Sequence, residues 1–158
     1  MAWSPHTKRN INLEQVQRRA TRFILGRDYS EYERLSKLNL LPLKYRREIN
    51  ALDFFFKCLK YICKLNILDY VTSRSCTKPL RNADHLTPDV PFSRTDVPKN
   101  SFFVRICHLW NDLALSIKES NTCTLSIFRK NLRAFYNDKF DAIFFRLHLL
   151  YLSIHGNF

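Results

Sequence analysis

Glycine is close to missing from this chain, with Gly26 and Gly156 the only two in 158 residues. No G-x-G-x-x-G, G-x-x-x-x-G-K-[ST] or G-x-S-x-G can be built from them, which excludes dinucleotide, P-loop and serine-hydrolase sites resting on those turns. A fold of many tight hairpins is disfavoured for the same reason. Paired acidic residues are missing too: no Asp-Asp or Glu-Asp dipeptide occurs. Polymerase chemistry needs carboxylates that hold two metal ions about 4 Å apart. The five cysteines (Cys58, Cys63, Cys76, Cys107, Cys123) include no C-x-x-C and, with His85 and His108, show no zinc spacing. An odd, unpatterned set of cysteines predicts reduced thiols in a nuclear or cytoplasmic protein, with no metal and no cofactor. Long apolar runs are also absent. The stretch from Phe140 to Ile154 is broken by Asp141, Arg146 and His148, short of the roughly 18–20 residues of a membrane span. The opening MAWSPHTKRN has no apolar core of a signal peptide.

What the chain has in quantity is positive charge and aromatic carbon. Lys and Arg number 26 against 14 Asp and Glu, a net charge of +12, and 46% of residues are hydrophobic. That composition suits a packed domain attracted to polyanions. Apolar residues recur with helical period. From Asn10 to Leu25, Leu13, Val16, Ala20, Phe23 and Ile24 share an arc, and Gly26 stands where a left-handed cap is expected. Ser30 with Glu33 forms a capping box opening a helix at Tyr32–Leu38. Pro42 suits the first turn of a long helix, Pro42–Leu65, with Ile49, Leu52, Phe55, Phe56, Leu59, Ile62 and Cys63 on its apolar side. Pro79, Pro88, Pro91 and Pro98 mark 72–100 as an irregular crossing segment. Helical pattern resumes after Ser101 with Phe102, Phe103, Ile106, Leu109, Trp110 and Leu113. A turn through Lys118–Thr122 leads to helices at Thr124–Asn137 and Lys139–Leu152. The expectation is an all-α fold of about five to six helices in a single domain. It comprises an N-terminal arm (1–9), a helical part (10–71), the Pro-rich connection (72–100) and a second helical part (101–158).

Basic side chains on helix faces bind phosphates by releasing counterions. Arg18, Arg19 and Arg22 make one such face; Arg46, Arg47, Lys57, Lys60 and Lys64 make another. Phe54 and Tyr61, one heptad apart among the lysines, are candidate platforms for stacking unpaired bases, or else pack on another helix. Phe23, Phe55, Phe56, Phe128 and Trp110 are expected in the core. The helix at 139–152 is apolar almost all round, and Phe144, Phe145, Leu149 and Leu150 on it are candidates for a protein-docking surface. Its polar face is too thin for a strong membrane-surface reading.

The run WSPHTKRNINLEQVQRRATRFILG, then YSEYERLSKLNLLPLKYRREI, FFFKCL and, later, SFFVRICHLWNDL with a Phe-Arg-Lys helix resembles the C-terminal region of non-LTR (LINE-type, jockey-like) retrotransposon reverse transcriptases. The blocks follow that family's order over about Trp3–Tyr136. One departure is Ala114 after Leu113, where the family usually has Leu-Pro after its Trp-Asn. The resemblance implies a part of an RNA-directed DNA polymerase downstream of palm and thumb, without catalytic carboxylates. RNA or DNA, bound without sequence preference, and the upstream polymerase core are its implied partners. The alternatives are a protein-interaction appendage docking on a polymerase core and a decayed transposable-element remnant without activity.

Overall fold

The computed structural model describes residues 8–72, 87–90, 92, 94, 101–118 and 124–155. Six α-helices account for most of them: α1 (Lys8–Leu25), α2 (Glu31–Lys37), α3 (Leu43–Leu59), α4 (Phe102–Asn111), α5 (Leu115–Lys118) and α6 (Leu125–His155). A 3-10 turn covers Ile67–Asp69. The all-α expectation holds: among the described residues there is no strand, only a single bridging position at Pro88. Most of the proposed irregular connection, with Cys76 and His85, lies outside the described residues. So do Cys123 and the side chain of Leu150. Contacts gather the chain into two compact units, one within Arg47–Lys130 and one from Ser4–Arg46 with Asn131–Phe158.

The helix ends follow their local chemistry. Gly26 takes φ +83° and donates to the Arg22 carbonyl at 2.9 Å, closing α1 as a left-handed cap. Ser30 accepts from the Glu33 amide while the Glu33 carboxylate accepts from the Ser30 amide, the reciprocal box predicted for α2. Ser101 caps α4. Helix α3 stops at Leu59 and does not run to Leu65 as expected. Ile62 N–H bonds back to the Lys57 carbonyl and Tyr61 N–H to the Cys58 carbonyl, with Tyr61 at φ +54°. This is a Schellman termination with tyrosine in the place glycine usually fills. A heptad-type reading cannot register it, because no glycine or proline marks the end. Asn39, at φ +51°, closes α2 by the same pair of bonds through Leu40 and itself.

Helix α6 corrects a second expectation. The two helices read at Thr124–Asn137 and Lys139–Leu152 are one continuous helix. Asn137 and Asp138 are weak helix formers, but neither breaks the backbone ladder as proline would. Phe128, Leu132, Tyr136 and Phe140, each four residues on from the last, are all buried. The row of buried side chains therefore passes straight through the suspected joint. The short helix α5 was also unforeseen, since so few residues show no period.

In the unit within Arg47–Lys130, the core is aromatic. Phe56 stacks on Phe128 with ring centres 4.1 Å apart, Phe55 meets Trp110 at 5.1 Å, and Trp110 meets Phe128 at 6.1 Å. Leu52, Ile106 and Cys107 of the same unit are fully buried. Cys58 is buried as well, whereas Cys63 is half-buried and Ile62, placed on the apolar face from sequence, is exposed. In the other unit, Leu35, Tyr45, Leu132, Tyr136 and Phe140 are buried. There Tyr45 lies against Tyr136 at 5.3 Å and Tyr32 stacks on Phe140 at 5.8 Å.

Candidate nucleic-acid interface

Helix α1 is turned about a quarter revolution from the orientation its apolar arc predicts. Phe23 is 94% exposed, Val16 and Ile24 are each 61% exposed, and Leu13 and Ala20 are exposed too. Phe23 therefore leaves the expected core, while Phe55, Phe56, Trp110 and Phe128 are in it. The inward face is instead polar. Gln17 donates through Nε2 to the Leu41 carbonyl at 3.1 Å and accepts from the Leu43 amide through Oε1 at 3.0 Å. It thus satisfies an orphan N–H in the first turn of α3. Thr21, buried, donates to the Arg18 carbonyl and accepts from Arg34 Nε at 3.3 Å. Backbone groups that need partners decide the seating of α1, and a hydrophobic wheel does not count them.

The eight basic side chains singled out from sequence divide on this geometry. Arg18 pairs with Glu31 at 2.8 Å. Lys57 pairs with Asp53 at 2.8 Å, and Arg129 grips the same carboxylate at 2.5 and 3.0 Å. Burial pushes the Asp53 carboxyl up, but the hydrogen bonds from Arg129 and Lys57 outweigh it and hold the group below its ordinary value. Arg47 is half-buried and engaged. The other five, Arg19, Arg22, Arg46, Lys60 and Lys64, are exposed and have no acidic partner among the described residues. Lys60 Nζ leans over the Phe56 ring at 5.8 Å.

The two candidate stacking rings differ. Phe54 packs edge-on against Phe102 of α4 at 5.8 Å, so it is a packing residue and not a free platform. Tyr61 is 75% exposed but sits beyond the end of α3, so the two rings do not line one helix face.

Sequence reasoning missed Arg27 and Arg34. They line an open cleft with Arg22, Tyr29, Ser30 and Glu31 at the turn between α1 and α2. Arg27 falls in a loop and Arg34 in a helix of about two turns with a mixed face. Neither position has a period to attract notice. Elsewhere, Cys58 and Cys107 are buried, and burial raises both thiols to about 11. Among the described residues no three His, Cys, Asp or Glu side chains gather as a metal site, and no helix is long and apolar enough to cross a membrane. No family model, curated protein or solved structure matches the chain.

Proposed function

We propose that this chain is a non-catalytic, C-terminal portion of a retrotransposon reverse transcriptase that holds RNA or DNA by its phosphate backbone. The order of the sequence blocks supports the first half of this reading. The observation that carries the second half is that Arg19, Arg22, Arg46, Lys60 and Lys64 are exposed and have no acidic partner among the described residues. A chain of net charge +12 that leaves such cations free gives a phosphate backbone its counterions in advance. Binding through phosphates carries no sequence information. Single-stranded RNAs of different base composition should therefore bind the purified protein with equal affinity at low salt in fluorescence anisotropy. Absence of binding, or strong preference for one sequence, would contradict the reading.

A specific observation favours a second reading, that the chain also docks on the polymerase core. The stripe Leu13, Val16, Ala20, Phe23 and Ile24 stands outside its unit, and on α6 Phe145 and Leu149 are 64% and 50% exposed. Single exposed apolar residues are ordinary, but a whole helix stripe marks a protein contact. Changing Val16 and Phe23 to Ser removes apolar surface without altering charge, so it should abolish association with the polymerase core in co-purification and leave RNA affinity unchanged. Association that survives the double change would sink this reading.

A further inference from the structure

The cleft between α1 and α2 holds a guanidinium with no carboxylate partner among the described residues. Arg34 is 3% exposed. Its Nε donates to Thr21 Oγ1 at 3.3 Å, and its Nη1 donates to the Tyr29 carbonyl. Both acceptors are neutral, and no carboxylate pairs with it among the described residues. A guanidinium has five N–H donors, and these two bonds use two of them. Burying an ion without a counter-ion is unfavourable, so an added anion would satisfy a group that the chain leaves with neutral partners.

The surroundings are arranged for such an anion. The cleft, of about 520 Å³, is lined by Arg22, Arg27 and Arg34, with the hydroxyl-bearing Tyr29 and Ser30 and the carboxylate of Glu31. Glu31 would repel an anion, but Arg18 neutralises it from 2.8 Å. Lys37 Nζ sits 3.5 Å from the centre of the Tyr29 ring and adds positive potential behind it. Three arginines therefore line one cleft, and none of them pairs with a carboxylate among the described residues. Arg forks match tetrahedral oxyanions in bidentate fashion, which Lys cannot do.

We propose that this cleft is a phosphate-binding site that takes one backbone phosphate of the bound nucleic acid, with Arg34 as the fixed anchor and Arg22 and Arg27 as closing arms. The proposal rests on the nucleic-acid reading for its ligand, yet the site makes a claim of its own about phosphate. Arg34 supports the α1–α2 turn, so the informative variant is Arg22→Ala with Arg27→Ala, both exposed. Two measurements on the intact chain separate the possibilities.

In the first, inorganic phosphate is titrated while the Arg34 Nε–H resonance is followed by NMR. The expected result is a saturable shift that the double variant loses. In the second, single-stranded RNA affinity is measured against salt. The expected result is a slope of log affinity on log salt shallower by about 0.7 in the double variant, one phosphate contact on a single strand. A saturable phosphate shift without any RNA binding leaves the anion site but overturns its assignment to a nucleic-acid backbone. RNA binding with an unchanged slope and no phosphate shift overturns the site and leaves the nucleic-acid reading standing. A phosphate shift with an unchanged RNA slope overturns the backbone assignment alone.

Discussion

Tyr61 and Asp53 show how single side chains set the local energetics. Tyr61 occupies the left-handed region at φ +54° to let α3 end, a conformation that costs a residue with a Cβ about 1–2 kcal/mol. Glycine takes it freely, so Tyr61→Gly should raise stability by about 1 kcal/mol in urea unfolding, offset slightly by the looser unfolded chain. A loss of stability would mean that the exposed ring makes a contact worth more than the strain. Asp53 works in the opposite direction, holding Lys57 and Arg129 together. Its carboxyl is lowered relative to the unfolded chain, so its stabilisation is present above the ordinary carboxylate range. It is lost as pH falls from about 4 through the lowered value. Asp53→Asn should flatten this part of the stability-versus-pH curve, measured by thermal melts from pH 6 down to pH 2. Burial of Cys58 and Cys107, with thiols raised to about 11, predicts that neither is labelled by a thiol reagent at pH 8 until the chain unfolds. Mass spectrometry of the labelled peptides reads this directly, because the thiolate is the reactive form.

At the scale of elements, caps and buried rows were legible in the sequence, while seating and continuity were not. Ser30 with Glu33, Gly26 and Ser101 announce their helix ends because each carries a specific hydrogen-bond or backbone role. The aromatic row of α3 declares its face for the same reason: large apolar side chains at helical spacing have few other places to go. Helix α1 misleads because Gln17 and Thr21 look like surface residues until their backbone partners at Leu41, Leu43 and Arg18 are known. Those partners lie in other segments or in the helix backbone itself, so no local window contains the full argument. The same holds for Phe54, whose ring finds Phe102, and for Arg34, whose importance comes from its burial. The continuity of α6 gives a direct test. Asp138→Pro should cost about 3 kcal/mol or more in chemical unfolding if one ladder runs from Leu125 to His155. A cost below about 1 kcal/mol would mean two helices meeting at that point.

For the whole molecule, charge and exposed apolar surface point to two kinds of partner that need not compete. The net charge of +12 favours polyanions and opposes pairing of two copies, since each would bring the same sign. The apolar stripe of α1 is exposed, and a polymerase core is the partner proposed for it. The cleft at Arg22, Arg27 and Arg34 would anchor one phosphate, and the more scattered exposed cations would add affinity without register. Two of the basic residues expected to meet phosphate are engaged within the chain: Arg18 and Lys57 hold its own carboxylates. Nothing in their spacing tells a paired cation from a free one, whereas the total charge survives such pairing and is why polyanion binding could be argued at all.

If the chain holds nucleic acid through phosphate contacts, as proposed, its affinity falls steeply as salt rises. Anisotropy titrations of one single-stranded RNA at several salt concentrations should give a straight line of log affinity against log salt. Five contacts, one for each of Arg19, Arg22, Arg46, Lys60 and Lys64, would make its slope about −3.5, at 0.7 per phosphate. Affinity that does not change with salt, or no binding at the lowest salt, would mean that phosphate contacts do not hold nucleic acid here.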